Sequence, residues 1–210
     1  MGLFVFLRAM DYNLKHTFAE IETENYIKAY RNVDKFIAFC KKCNRYCTCW
    51  ACPPFDFNID EYISAYKYAY ILGTKIIFSQ NLADNVYTAE QLKDISYKVI
   101  AEVRGELDKL LLGFEEKYTD SKAFFAGTCH LCLDEDCTRK AGLPCRYPDK
   151  IRPSLEAVGF DMGKTSAELL NIEMKGTEGT STPEYKTGSL YKTAAAAEGV
   201  MMGFGDGRSV

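Results

Sequence analysis

The sequence predicts a single compact α+β domain, in which a mixed sheet packs against helices and two cysteine-rich metal loops lie at the margin. Three observations support this fold class. The chain has 210 residues and is 47% apolar, which is enough for one ordinary packed core. Segments with strand periodicity alternate with segments of helical periodicity. All nine cysteines fall within residues 40–52 and 129–145.

The first part of the chain supplies two predicted strands with two predicted helices between them. Residues 16–22 read as a short strand, and residues 70–79 carry the apolar run of a buried strand. Apolar residues at three- and four-residue steps predict helices over residues 32–43 and 58–68. This order places the first cysteine segment between two helices.

The longest predicted helix spans residues 88–117. Thr88 and Gln91 have the spacing of a capping box at its start. The apolar stripe of this helix follows a helical period and comprises Leu92, Ile95, Val99, Val103, Leu107, Leu110 and Phe114. A short apolar strand at residues 123–126 then leads straight into the second cysteine segment.

The C-terminal part differs in composition from the rest. Residues 176–193 are rich in Gly, Thr, Ser and Lys, which is typical of a polar loop. Residues 200–204 have the pattern of a final edge strand. We therefore expect a cysteine-rich metal-binding domain over residues 1–175 and a polar loop or arm over residues 176–210.

Charge and hydropathy exclude several classes of partner. The net charge is −3, so no global basic field attracts nucleic acid. No run of 18 apolar residues predicts a membrane span, and the apolar N-terminal residues lack the basic start and cleavage site of a signal peptide. We therefore expect a cytoplasmic protein. In that reducing compartment, clustered cysteines bind metal more often than they form disulfides.

The second cysteine segment has the pattern Cys129-x2-Cys132-x4-Cys137-x7-Cys145. Four thiolates in so short a stretch suit either a [4Fe–4S] cluster or a tetrahedral zinc ion. The x4 and x7 gaps are irregular, unlike the paired Cys-x2-Cys knuckles of most structural zinc sites. The spacing therefore favours an iron–sulfur cluster and leaves zinc as the alternative.

The first cysteine segment has five thiols, one too many for a single four-coordinate site. One arrangement is knuckle-like and uses Cys40, Cys43, Cys49 and Cys52. The other resembles a ferredoxin run that ends in cysteine–proline and uses Cys47 in place of Cys49. Because Cys49 stands three residues before Cys52, a spacing that lets two sulfurs share a metal, we predict that Cys49 is the fourth ligand and Cys47 is free.

Both segments together resemble one known family, the predicted metal-binding proteins of domain-of-unknown-function family 2284. The first motif is Cys40-x2-Cys43-x2-Tyr46-x3-Trp50-x-Cys52-Pro53-Pro54. The second motif is Cys129-x2-Cys132-x4-Cys137 followed by Pro144-Cys145-Arg146-x-Pro148-x3-Arg152-Pro153-Ser154-x-Glu156-Ala157-x-Gly159-x-Asp161. The resemblance covers about residues 16–175 and implies metal binding without an established reaction.

The resemblance also implies which cysteines bind metal. The first-site positions are Cys40, Cys43 and Cys52, whereas Cys47 and Cys49 fall outside the family pattern. The second-site positions are Cys129, Cys132, Cys137 and Cys145. We expect an iron–sulfur protein that transfers electrons or serves a partner redox enzyme. The alternatives are an enzyme whose cluster binds substrate at an open position and an interaction module stabilised by zinc.

Overall fold

The computed structural model describes residues 12–79, 88–132, 135–172 and 200–204, the last range and residues 89, 92 and 93 by their backbone alone. The described strands are β1 (Tyr12–Glu22), β2 (Tyr68–Phe78), β3 (Ser121–Ala123) and β4 (Val200–Phe204). The described helices are α1 (Thr23–Tyr30), α2 (Val33–Cys40), α3 (Ile59–Ser64), α4 (Ala89–Lys117) and α5 (Met162–Glu168), with a 3-10 turn at Thr138–Ala141. These elements confirm the α+β class.

The sheet is antiparallel across the described strands, so the prediction of a mixed sheet is wrong. Its strand order is β1-β2-β4-β3. Glu22 at the end of β1 pairs with Tyr68 at the start of β2. The chain therefore leaves the sheet at the end of β1 and, after helices α1 to α3, enters it again at the same end. For this reason β2 runs antiparallel to β1.

The strand β4 lies inside the sheet rather than at its edge. It pairs with β2 on one side and with β3 on the other, both antiparallel. The predicted strand at residues 200–204 is thus present, but its predicted edge position is wrong. The predicted boundary near residue 175 lies outside the described residues and stays a prediction.

Helix α4 begins as its sequence predicts. The Thr88 hydroxyl accepts a hydrogen bond from the Gln91 N–H, and the Gln91 side chain accepts one from the Thr88 N–H. Its buried row advances by four residues at a time, through Ile95, Val99, Val103, Leu107 and Leu111. Leu111 continues this row because four-residue steps keep one face, so the predicted core residue Leu110 is 49% exposed instead.

Two apolar clusters flank the sheet and hold the cysteine segments in place. Alternate residues of β2 face opposite sides, so Ala69 and Ile71 join one cluster and Leu72 and Ile76 the other. The first cluster also contains residues of α1 and of the segment after the second cysteine segment, and the second is covered by α4. None of the described helices is both long enough and apolar enough to span a membrane.

Candidate metal centre

The first cysteine segment is a series of tight turns that starts at the end of α2. The Asn32 side chain caps α2 by accepting a hydrogen bond from the Lys35 N–H. Each Cys-x2-Cys step is closed by a backbone hydrogen bond, from the N–H of Cys43 to the Cys40 carbonyl at 2.9 Å and from the N–H of Cys52 to the Cys49 carbonyl at 3.0 Å. These turns bring the paired side chains to the same side of the segment.

The second segment follows a left-handed turn. Gly127 has φ 62°, a conformation that side-chain-bearing residues seldom adopt, and it leads into Thr128 and Cys129. Arg104 on α4 anchors this turn by donating a hydrogen bond to the Thr128 carbonyl at 2.7 Å. Gly142, with φ 67°, ends the 3-10 turn that follows Cys137.

Arg139 ties the two segments together. Its guanidinium donates hydrogen bonds to the carbonyls of Cys49 at 2.9 Å, of Cys52 at 2.7 Å and of Pro54. It also lies 5.0 Å from the centre of the Trp50 ring. From the first segment, the indole N–H of Trp50 donates a hydrogen bond to the carbonyl of Leu143 in the second segment at 3.0 Å. The two segments, far apart in sequence, therefore form one unit.

Cys49 is the point at which the two cysteine groups meet. Its side chain is 1% exposed and lies within hydrogen-bonding reach of the thiols of both Cys129 and Cys52. Hydrogen bonds from Cys129 and Cys52 lower the pKa of Cys49, whereas the hydrogen bond to Cys49 and burial raise the pKa of each of those partners. Cys49 therefore links a thiol of the first segment, Cys52, with a thiol of the second, Cys129.

Two cavities with thiol-lined walls lie on either side of this contact. The smaller, of about 260 Å³, includes Cys40, Cys43 and Cys52 in its lining. The larger, of about 600 Å³, includes four thiols in its lining, namely Cys49, Cys129, Cys132 and Cys137. Burial raises the pKa of Cys145, and the charges of Cys137 and Cys132 raise it further.

Seven of the eight predicted ligands thus line the two cavities, three the smaller and four the larger, whereas Cys145 is not in the described lining of either. Cys47 is exposed with φ 61° and is not among the described residues that line either cavity. The assignment of Cys49 to the first site stays a prediction, since Cys49 touches a thiol of each group. Among the described residues, no three side chains of His, Cys, Asp or Glu converge closely enough to form a single-ion site as they stand.

Charged side chains surround the larger cavity. Arg146 donates a hydrogen bond to the Cys132 sulfur at 3.5 Å and forms an ion pair with Glu135 at 2.7 Å. Arg45 is part of the lining of both cavities and helps to lower the pKa of Cys49. These cations offset the negative charge that grouped thiolates accumulate.

A buried acidic group also lies near the larger cavity. Burial raises the pKa of Asp108 to about 7, against the opposing charge of Arg104. The Asp108 carboxylate is 3.2 Å from Nε2 of His130, and His130 is part of the cavity lining. Sequence reasoning missed both Asp108 and Arg139, although the four-residue spacing of Arg104 and Asp108 on α4 was a usable signal for the former.

The donor set suits metals that prefer thiolate ligands. Thiol sulfur is the soft ligand that zinc and iron–sulfur clusters take, and two groups of thiols line two cavities here. A family model described as a predicted metal-binding protein, domain of unknown function 2284, matches residues 21–193. The chain belongs to this family. No curated protein and no solved structure gives a match.

Membership in family 2284 confirms the resemblance seen in the two motifs. The match spans both cysteine segments and continues past residue 175, where we predicted the end of the metal-binding domain. Metal binding is therefore the property that the family and the donor set share.

Proposed function

We propose that this member of family 2284 is an iron–sulfur protein that transfers electrons or serves a partner redox enzyme. The observation that carries the proposal is the contact of the two thiol groups at Cys49, which lies between Cys52 and Cys129. Two metal centres that lie next to each other give electrons a short path from one centre to the other. Metal sites that only stabilise the fold gain no such advantage from being neighbours. The irregular spacing of the second segment points the same way.

The proposed ligands follow from the cavities and motifs. The first centre is held by Cys40, Cys43 and Cys52, with Cys49 as the fourth thiol that the sequence predicts. The second centre, a [4Fe–4S] cluster by preference, is held by Cys129, Cys132, Cys137 and Cys145. A bound cluster supplies one-electron chemistry, and the protein tunes it through hydrogen bonds to sulfur such as that from Arg146 to Cys132.

The surface beside the first centre suits a redox partner protein. Cys43 is exposed, so this centre lies near solvent. Helix α2, which ends at Cys40, has no buried residue although its sequence is largely apolar, and Phe39 is 60% exposed. Exposed apolar surface next to a redox centre is typical of transient partner docking. We expect this partner, like the chain itself, in the cytoplasm.

A second candidate is an enzyme whose cluster binds substrate at a position without cysteine. It is favoured by one observation, the presence of only three thiols among the described residues that line the smaller cavity. A module stabilised by zinc is the third candidate, and it has no redox role. Reduction of the purified protein separates the zinc module from the first two.

Anaerobically purified protein is expected to be coloured and redox-active. Its broad visible absorption should decrease on addition of dithionite and return on reoxidation, because thiolate-bound iron changes its charge-transfer absorption with oxidation state. Electron paramagnetic resonance of the reduced sample should show a signal. The Cys47→Ser variant, altered at an exposed cysteine, should behave identically. A colourless protein that dithionite does not change would rule out the iron–sulfur proposal.

A further inference from the structure

The smaller cavity contains one carboxylate in addition to its three thiols. Among the described residues that line it, Glu156 is the acidic one. The thiols of Cys40, Cys43 and Cys52 come from the first segment, whereas Glu156 comes from the turn after the second segment. Cys49, the predicted fourth thiol, is in the lining of the larger cavity instead. The described lining of the smaller cavity therefore has three sulfur donors and one carboxylate, beside the neutral hydroxyls of Tyr46, Thr128 and Ser154.

The turn that carries Glu156 is firmly held. Its neighbours Leu155 and Val158 are 0% and 3% exposed and belong to the first apolar cluster. Ser154, at its start, forms a parallel bridge with Phe125, just before the second cysteine segment. The Gly159 N–H donates to the Glu156 carbonyl at 3.1 Å. The buried neighbours fix the backbone, so the half-buried side chain of Glu156 is presented at the cavity wall.

The carboxylate of Glu156 has no hydrogen-bond or ion-pair partner among the described residues. Its charge reaches the first thiol group, because it contributes, after burial and Cys43, to raising the pKa of Cys40. Arg45 lines the same cavity but forms no ion pair with Glu156 among the described contacts. A half-buried carboxylate without a paired cation, in a cavity with three thiols, is an arrangement that a bound metal ion would stabilise.

We propose that Glu156 is the oxygen ligand that completes the first centre with Cys40, Cys43 and Cys52. Carboxylate oxygen binds both iron and zinc in sites that also contain sulfur or nitrogen ligands. The inference rests on the proposed function in taking the three thiols as ligands. Because carboxylate is a harder ligand than thiolate, a soft metal ion bound here would exchange this ligand more readily than its thiolates. Substrates or small anions would therefore bind the first centre there.

The test compares metal retention in variants of the full chain. Glu156→Gln keeps the size of the side chain and removes the charged ligand. The matched control is Glu106→Gln, at a carboxylate on α4 that is 73% exposed and pairs with Lys109. Cys40→Ser gives the metal content of a chain without the first centre, and Cys49→Ser tests the rival ligand. Metal per chain is measured after anaerobic purification and during a chelator challenge.

We expect Glu156→Gln to lose the metal of the first centre at least about tenfold faster than the wild-type protein during the chelator challenge. Its final metal content should equal that of Cys40→Ser. Glu106→Gln should retain metal as wild type does. Glu156→His should restore retention, because the imidazole Nε2 reaches about as far as the carboxylate oxygen and also binds iron and zinc, and a merely structural role would not be rescued in this way. This variant also decides the question if Glu156→Gln does not fold.

The proposal is overturned if Glu156→Gln retains metal at the wild-type rate, or if Glu156→His fails to restore retention. Loss of first-centre metal in Cys49→Ser, with retention in Glu156→Gln, would make Cys49 the fourth ligand. If the wild-type protein contained zinc in place of iron, the iron–sulfur proposal would be wrong, but the proposal that Glu156 is a ligand would still stand. The same comparison of variants would then be made on zinc.

Discussion

Replacing Cys132 with Ser is expected to empty the second centre and to destabilise the whole domain. The Cys132 thiol is part of the larger cavity lining and accepts a hydrogen bond from Arg146. Metal binding is coupled to folding, and structural zinc contributes about 10–16 kcal/mol of apparent binding free energy. We therefore expect the free energy of unfolding to fall by more than about 3 kcal/mol. Anaerobic denaturant titration and metal analysis measure both effects.

The control for this prediction is Cys47→Ser, which changes an exposed thiol of the other segment. It should leave metal content unchanged and shift stability by no more than about 0.5 kcal/mol, as is usual for surface substitutions. If Cys132→Ser kept its metal and its denaturation midpoint, Cys132 would not be a ligand. The second centre would then need a different set of thiols, with Cys49 as the first candidate.

Replacing Arg152 with Met is expected to cost about 3–5 kcal/mol of stability, because it removes the main counter-ion of buried Glu115 and leaves only the Ala123 N–H and Lys122, at 3.5 Å, as its partners among the described residues. Arg152 and Glu115 side chains are 8% and 11% exposed, and the Arg152 Nε donates to Glu115 at 2.7 Å. Arg152 also donates to the carbonyls of Asp149 at 2.9 Å and Ile151 at 2.7 Å. The pair thus joins α4 to the chain that leaves the second cysteine segment.

The pH dependence of stability provides a second measure of this pair. Burial alone would raise the pKa of Glu115, but hydrogen bonds from Arg152 and the Ala123 N–H lower it overall, below its ordinary 4.5. The stabilisation is therefore fully present above the pKa of the unfolded chain and is lost as pH falls through the folded value. Arg152→Met should remove this acid-side loss, and Arg152→Met with Glu115→Gln should recover part of the stability at neutral pH. Equal stability of wild type and Arg152→Met at pH 7 would contradict the assignment.

The sequence was most informative where the signal is local. The capping box of Thr88 and Gln91 and the periodicity of α4 depend on residues a few positions apart, and both are present. Strand pairing depends on contacts between distant residues. The insertion of β4 between β2 and β3 therefore had no local signal, and its position in the sheet was missed.

The candidate site shows the same division. Cysteine spacing identifies the candidate ligands because turns of fixed length bring neighbouring thiols together. The contact of Cys49 with Cys129, and the bonds from Arg139 to the first segment, join residues about eighty to ninety positions apart. Such contacts depend on how the sheet and α4 orient the two segments. No spacing within either segment predicts them.

Iron, acid-labile sulfide and zinc analysis of the wild-type protein, purified without oxygen, tests the central claim most directly. Thiolate ligands in two adjoining groups, at the spacings of this chain, predict iron and sulfide in comparable amounts and little zinc. Cys40→Ser and Cys132→Ser, analysed in parallel, should each lose a part of the iron, as expected for two separate centres. Stoichiometric zinc with negligible iron and sulfide would contradict the account.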